Sequence, residues 1–243
     1  MVINSSLRQS FSINDYSLKS TRVDLWHFPL HHQPTAVGSL LNSEECERAD
    51  RFYFPKHQRR FAVTRAMLRC ILSKYLLQAP ELFNFTSNHY GKPYVSNSAQ
   101  LQFNVSHSSD WALIAVGKGH ELGVDLEFHS VRPYLDLAKN LFSAYEIETL
   151  SVLTGKSLAE SFFIIWSQKE AFIKACGMGL SYPTDKIDMA TSLLEVIITD
   201  PLTQQDWRVI PFIPQVNCAA ALCLHPSIEE LRFRQLDNLN EFF

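Results

Sequence analysis

G-V-D-L-E, residues 123–127, places two carboxylates two positions apart in an otherwise apolar run. Side chains alternate along a strand, so a strand here carries Asp125 and Glu127 on one face and Val124 and Leu126 on the other. Like charges on one face repel unless something cationic stands between them. The alternative is an edge strand whose acidic face meets water.

The elements around this strand set the fold class. Upstream, L-Q-F-N-V-S-H-S-S-D-W-A-L-I-A-V (101–116) reads as two strands joined at S-H-S-S-D, and G-K-G-H-E (117–121) leads into L-G-V-D-L-E. Earlier still come N-F-T-S-N (84–88), the turn H-Y-G-K-P (89–93) and a helix over about residues 59–77 with Phe61, Ala62, Leu68, Ile71, Leu72 and Tyr75 as its apolar stripe. Pro80 closes that region. Ser43, followed by Glu44, Glu45 and Glu47, marks another helix start. The first strand falls near Val23 to His27, after a loosely held start over residues 1–20.

Downstream the pattern is helical from Pro133 to Ile173, with Ser157 as cap and Gly177 as stop of the last helix. Strands return at L-L-E-V-I-I-T-D (193–200), W-R-V-I-P-F (207–212) and C-A-A-A-L-C-L (218–224). Helix followed by strands thus occurs twice, in 40–118 and 119–225, with no visible sequence repeat. Element order predicts an α+β protein of two similar halves, 1–118 and 119–225. Residues 226–243 are set apart as a C-terminal tail and left unassigned.

Composition is that of a globular protein, 46% hydrophobic with a net charge of −3, which argues against a general nucleic-acid binder. The five cysteines (46, 70, 176, 218, 223) have no paired spacing for a disulfide framework or zinc site and fit a reducing cytoplasm. No apolar run reaches membrane-spanning length and the start lacks a signal-peptide pattern. Charge is nevertheless uneven. Between Arg48 and Arg69 stand seven cations (Arg48, Arg51, Lys56, Arg59, Arg60, Arg65, Arg69) against the single acid Asp50, either a solvated helix face or a local anion site.

W-S-Q-K-E-A-F-I-K (166–174) supplies a partner for the strand carboxylates. Glu170 and Lys174 lie four apart on one helix face, an ordinary surface ion pair if taken alone. Three carboxylates with no sulfur or imidazole beside them suit a hard cation such as Mg²⁺ that keeps positions open for substrate phosphates. His107 is either a hydrogen-bonded loop histidine or a donor to a phosphate, and Lys92 either a turn lysine or a substrate contact.

On these blocks the sequence resembles the 4′-phosphopantetheinyl transferases of the surfactin-synthetase (Sfp) type. G-V-D-L-E and W-S-Q-K-E-A-F-I-K match the two signature blocks. R-R-F (59–61), G-K-P-Y (91–94), F-N-V-S-H-S (103–108) and L-S-Y-P (180–183) extend the likeness over residues 40–225. The resemblance implies a pseudo-twofold monomer binding coenzyme A between its halves, with the 3′-phosphate on the N-terminal side. By position, Asp125, Glu127 and Glu170 match the Mg²⁺ ligands, with Mn²⁺ as a substitute, and Lys174 matches the lysine near the pyrophosphate. Arg48, Arg60, Lys92, Ser106 and His107 match positions that hold coenzyme A. One departure is the acidic S-E-E-C-E before Arg48, where similar proteins often place another cation; Arg51 or Arg59 is the expected substitute.

The implied reaction moves the phosphopantetheine arm onto a serine of an apo acyl or peptidyl carrier protein, releasing adenosine 3′,5′-bisphosphate. Glu170, or a water it holds, is the expected base, and Lys174 assists the leaving group. Carrier docking is expected along the helical region following Glu127 and the Lys139–Tyr145 stretch. Two other classes fit fewer blocks: a metal-dependent phosphodiesterase using water, and a nucleotide- or RNA-binding module using the Arg48–Arg69 segment.

Overall fold

The computed structural model describes residues 15–96, 98 and 100–242. The first half contains β1 (Arg22–Pro29), α1 (Val37–Leu40), α2 (Ser43–Asp50), α3 (Pro55–Leu76), β2 (Phe85–Ser87), β3 (Pro93–Val95), β4 (Leu101–Ser108) and β5 (Trp111–Lys118). The second contains β6 (Gly123–Phe128), α4 (Tyr134–Leu141), α5 (Ala144–Ser151), α6 (Gly155–Cys176), β7 (Val196–Thr199), β8 (Asp206–Phe212) and β9 (Cys218–Leu224), and β10 (Glu230–Gln235) follows.

Strand pairing repeats between the halves. The sheet orders are β10-β1-β5-β4 and β6-β9-β8-β7. In each, the first strand of the half pairs antiparallel with the last, and the last with the one before it. The helices repeat as well. α2 and α5 each begin with a capping box, Asn42 with Glu45 and Ser143 with Glu146, in which side chain and backbone exchange hydrogen bonds. Both capping glutamates are buried and ion-pair with the long helix that follows, Glu45 with Arg65 and Arg69, Glu146 with Lys169. The opening strands carry the same buried triplet, Val23-Asp24-Leu25 and Val124-Asp125-Leu126. A repeat invisible by inspection of the chain is therefore present in trace.

Three apolar clusters stack helix, sheet, sheet, helix. α3 packs on the first sheet through Val63, Met67 and Ile71 against Trp26, Phe103 and Ile114. α6 packs on the second through Phe163, Phe172 and Ile173 against Val209, Ala221 and Cys223. Between the sheets lie Val23, Leu25, Val124, Leu126, Ile210 and Leu222. Each fully buried large apolar side chain contributes on the order of 2 kcal/mol. Val124 and Leu126 therefore face the inter-sheet core, leaving Asp125 and Glu127 on the α6 side, the alternation the sequence predicts.

Boundaries shift where two cap residues compete. The cap of α2 is Asn42 rather than Ser43, α3 begins at Pro55 with proline in its first turn, and α6 begins after Thr154, not Ser157. Gly177 ends α6 in the left-handed region as expected. Of the loose start expected over 1–20, residues 1–14 lie outside the described residues, whereas Asp15 is tied by Arg22 and Arg232. The segment 226–243 is a larger departure from the expected tail, because β10 joins the first sheet parallel to β1. Its Arg232 points inward and grips buried Asp24 with two hydrogen bonds of 2.6 Å.

Candidate active site

A glycine opens the site. A Cβ on Gly123 would collide with the carbonyl oxygen of Ala171 and the amide nitrogen of Ala175, so only glycine lets β6 run this close to α6. Asp125 and Glu127 then face Trp166, Glu170 and Lys174, which recur every fourth residue on one side of α6.

β6 is an edge strand of the second sheet, and its free amide groups would be costly to bury unpaired. Small polar side chains at alternate positions of β4 accept them: Asn104 from Val124 at 2.9 Å, Ser106 from Leu126 at 3.2 Å, Ser108 from Phe128 at 3.0 Å. The serines also act on the carboxylates. Ser106 donates to Asp125 at 2.8 Å and Ser108 to Glu127 at 3.2 Å. The F-N-V-S-H-S block thus joins the two sheets through side chains and orients both acids.

Lys174 is the cation set against Asp125. Its Nζ lies 2.6 Å from Oδ1 of Asp125 and also approaches Ser106 Oγ at 3.1 Å. Trp166 donates its indole N–H to Glu127 at 3.2 Å. Two acceptors stay unmatched: Asp125 Oδ2 is buried without a partner, and the Glu170 carboxylate has no hydrogen bond or ion pair among the described residues. Burial pushes the Glu170 carboxyl up to about 7, with Lys174 opposing and Asp125 and Glu127 adding to the rise. Burial and then Asp125 raise Glu127 also. Burial lowers His107, with Lys174 and Arg60 acting in the same sense, so the ring is neutral near pH 7.

These side chains form one wall of a cleft of about 470 Å³. Across it stand Arg48, Phe61, Thr64 and Arg65 of α2 and α3, and Ser106 and His107 of β4 lie between. Of the residues singled out from sequence, Arg48, Ser106, His107, Asp125, Glu127, Glu170 and Lys174 line this cleft, and Arg60 and Lys92 do not. Arg60 pairs with Asp110 at 2.9 Å. Lys92 donates to the carbonyls of Leu122 and Ala175, at 3.2 and 3.0 Å, and pairs with Glu121, fastening the turn at 88–92 to β6 and α6.

The basic segment is less cationic in three dimensions than along the chain. Arg51 pairs with Glu47 in solvent, Arg59 with Asp110 and the carbonyl of Leu30, and Arg65 and Arg69 with Glu45. Neither expected substitute, Arg51 or Arg59, reaches the cleft. Arg65, one of the seven cations of that segment, does, and so does Thr64, which no sequence pattern marked.

Among the described residues, no group of three or more His, Cys, Asp or Glu side chains stands ready to hold a metal ion, and no helix is long and apolar enough to cross a membrane. Three carboxylates face the cleft, Asp125, Glu127 and Glu170, one with a buried unmatched oxygen, and carboxylate oxygens are the donors a hard cation takes.

The arrangement, grouped acids and one lysine facing arginines across a cleft between paired halves, defines an enzyme class that handles a phosphorylated substrate. Residues 25–118 match the model for the N-terminal domain of 4′-phosphopantetheinyl transferase, and residues 121–222 that of the 4′-phosphopantetheinyl transferase superfamily. The chain is 36% identical over 217 residues to the 4′-phosphopantetheinyl transferase HetI of Nostoc sp., covering 86% of this chain and 90% of HetI. It is 31% identical over 200 residues to the 4′-phosphopantetheinyl transferase Sfp of Bacillus subtilis, covering 79% and 86%. A mouse L-aminoadipate-semialdehyde dehydrogenase-phosphopantetheinyl transferase is 25% identical over 170 residues, 65% of this chain and 55% of its own. The chain belongs to the 4′-phosphopantetheinyl transferase superfamily, in its Sfp type. Its activity is the transfer of phosphopantetheine from coenzyme A to carrier proteins.

Proposed function

We propose that Asp125, Glu127 and Glu170 hold Mg²⁺, or Mn²⁺ in its place, together with the pyrophosphate of coenzyme A, and that Glu170 and Lys174 are the catalytic residues. The observation that carries this reading is the unmatched pair of acceptors, Asp125 Oδ2 and the Glu170 carboxylate, on one wall of the cleft. Magnesium sites commonly use one or two carboxylates plus water and substrate phosphates, so a ready-made cage of three is not required. When bound, the ion withdraws charge from the attacked phosphorus and steadies the leaving phosphate.

The chain's own residues do the rest. Glu170, or a water it holds, takes the proton of the carrier serine as the serine oxygen attacks the β-phosphorus of the pyrophosphate and the bond from that phosphorus to the bridging oxygen breaks. Lys174 releases Asp125 and turns its ammonium to the departing adenosine 3′,5′-bisphosphate. Ser106 and neutral His107 donate to phosphate oxygens, and Arg48 supplies charge from the opposite wall. Arg60 and Lys92 take part in this scheme by holding loops that shape the cleft. We place the working division of the chain near residue 118, with the arginine wall before it and the carboxylate wall after it, and read the enzyme as a cytoplasmic monomer acting on acyl or peptidyl carrier domains.

The test is intact-mass spectrometry of an apo carrier protein incubated with the enzyme, coenzyme A and Mg²⁺. Addition of one phosphopantetheine that disappears with EDTA and with Asp125→Ala supports the reading. Full modification by Asp125→Ala, or in EDTA, rejects it.

A further inference from the structure

The chain passes between its halves twice, at residues 119–122 from β5 to β6 and at 225–229 from β9 to β10, and a histidine stands on each crossing. Both crossings are pinned. Leu122 and Ile228 are buried in the core between the sheets, the amide of Gly119 donates to the carbonyl of Gln100 at 2.8 Å, and that of Glu229 to the carbonyl of Thr21 at 2.8 Å. The rings of His120 and His225, each half-buried, stack with centroids 4.1 Å apart and planes 13° from parallel. Ser227 completes the group. Its Oγ lies 2.7 Å from His225 Nδ1 and 3.4 Å from His120 Nε2. Its backbone N–H donates to the same Nδ1 at 3.2 Å, which selects the neutral tautomer with the lone pair on that atom, the form a metal ion takes.

Two imidazole nitrogens on separate crossings thus converge on one hydroxyl oxygen. A transition ion with bonds of about 2.1 Å holds neighbouring donors ~3.0–3.4 Å apart, the lower figure for octahedral and the upper for tetrahedral geometry. The separations of 2.7 and 3.4 Å here come within 0.3 Å of that range without a change of backbone. We propose that His120, His225 and Ser227 form a second metal site, separate from the carboxylates of the cleft, which takes a borderline divalent ion such as Zn²⁺ on two imidazole nitrogens and the hydroxyl oxygen, with water completing the shell. Imidazole suits zinc, nickel and copper, whereas carboxylate oxygens suit magnesium, so the two sites select different ions. Two imidazoles are fewer protein ligands than a resident zinc centre has, so the ion exchanges with solution. Bound, it fastens one crossing to the other and braces the joint between the halves, remote from the transfer chemistry.

The experiment is calorimetric titration of the metal-free enzyme with Zn²⁺ in excess Mg²⁺, beside thermal melts with and without Zn²⁺. Wild type is expected to bind one Zn²⁺ at this site, and Zn²⁺ at ten times its Kd raises the melting midpoint by about 2–4 °C. His120→Asn and His225→Asn each weaken that binding at least tenfold and lose the shift, while His120→Asn transfers phosphopantetheine at the wild-type rate, which also reports that it folds. Asp125→Ala keeps the affinity, setting this site apart from the cleft. Ser227→Cys supplies a softer ligand at the shared point and tightens Zn²⁺ at least tenfold, a gain that no loss of folding can imitate. Absence of Zn²⁺ binding by wild type, affinity unchanged by both histidine substitutions, affinity lost in Asp125→Ala, or no tightening in Ser227→Cys overturns the proposal.

Discussion

Asp24 and Asp125 occupy corresponding positions in the two halves, each the middle residue of a Val-Asp-Leu triplet on an opening strand, yet only one of them is sealed. Arg232 holds both oxygens of Asp24, with Arg22 and Arg234 within ion-pair distance and Tyr75 donating its hydroxyl. Asp125 has Lys174 and Ser106 on one oxygen and nothing on the other. The same position is thus closed for stability in one half and open for chemistry in the other.

Removing the two aspartates separates these roles. Asp24→Ala leaves buried arginines uncompensated and is expected to cost about 3–5 kcal/mol in denaturant unfolding. The molecules that fold keep their rate of transfer. Asp125→Ala melts close to wild type and lowers transfer at least a hundredfold by intact-mass assay.

Glu170 links pH to both stability and rate. Folded, its carboxyl keeps a proton up to about pH 7, against an ordinary 4.5, so this residue's contribution to stability falls as pH rises between those values. In EDTA, Glu170→Gln is therefore expected to be more stable than wild type at pH 8, by up to about 3 kcal/mol, and nearly equal at pH 4.5. Transfer by Glu170→Gln is lost across the whole range, in contrast to a wild-type rate that climbs toward pH 7.

His27 acts in the opposite sense. It is 1% exposed, stacks on Trp111 at 4.6 Å, and has no hydrogen bond at either ring nitrogen, and burial lowers its pKa from 6.5 to about 4. The unfolded chain binds the proton first, so stability present above pH 6.5 drains as pH falls toward 4, by about 3 kcal/mol in full. Unfolding midpoints of His27→Phe measured from pH 7 to 4 should decline less steeply than those of wild type.

The two lysines of W-S-Q-K-E-A-F-I-K do different jobs. Lys169 and its partner Glu146 are both 0% exposed, 2.8 Å apart, and Lys169 also donates to the carbonyls of Thr184 and Ile187. Lys169→Ala is expected to lose about 3–5 kcal/mol of stability, read in a thermal or denaturant melt. Lys174→Ala keeps the fold and loses transfer.

Gly123→Ala places a methyl group into the backbone of α6. Separation of β6 from the helix, by more than about 3 kcal/mol of lost stability, should appear in the same melt. An unchanged melting temperature would mean that the strand and helix are not so closely apposed.

Parts of this architecture were legible in the chain because their signals are local. Two acids at strand spacing, and a tryptophan, glutamate and lysine at helical spacing, announce their faces directly. Helix starts were misplaced where Asn42 stands beside Ser43 and Thr154 lies three residues before Ser157, since each is an acceptable cap. β10 was hidden for a different reason. Its inward residue is Arg232, and a charge on a buried strand face makes sense only once Asp24, some two hundred residues earlier, is its partner. Arg65 was one basic residue among seven until Glu45 and Phe85 fixed its direction.

The parallel return of β10 to β1 also sets an order of events during synthesis. Chains emerge from the ribosome N-terminus first, and domains usually fold in that order. Here the opening strand of the first half waits until residues 230–235 are translated, and Asp24 stays without Arg232 until then. The half that is made first is thus completed only after the second half has been made, so the nascent chain carries an unfinished sheet edge throughout synthesis of the second half.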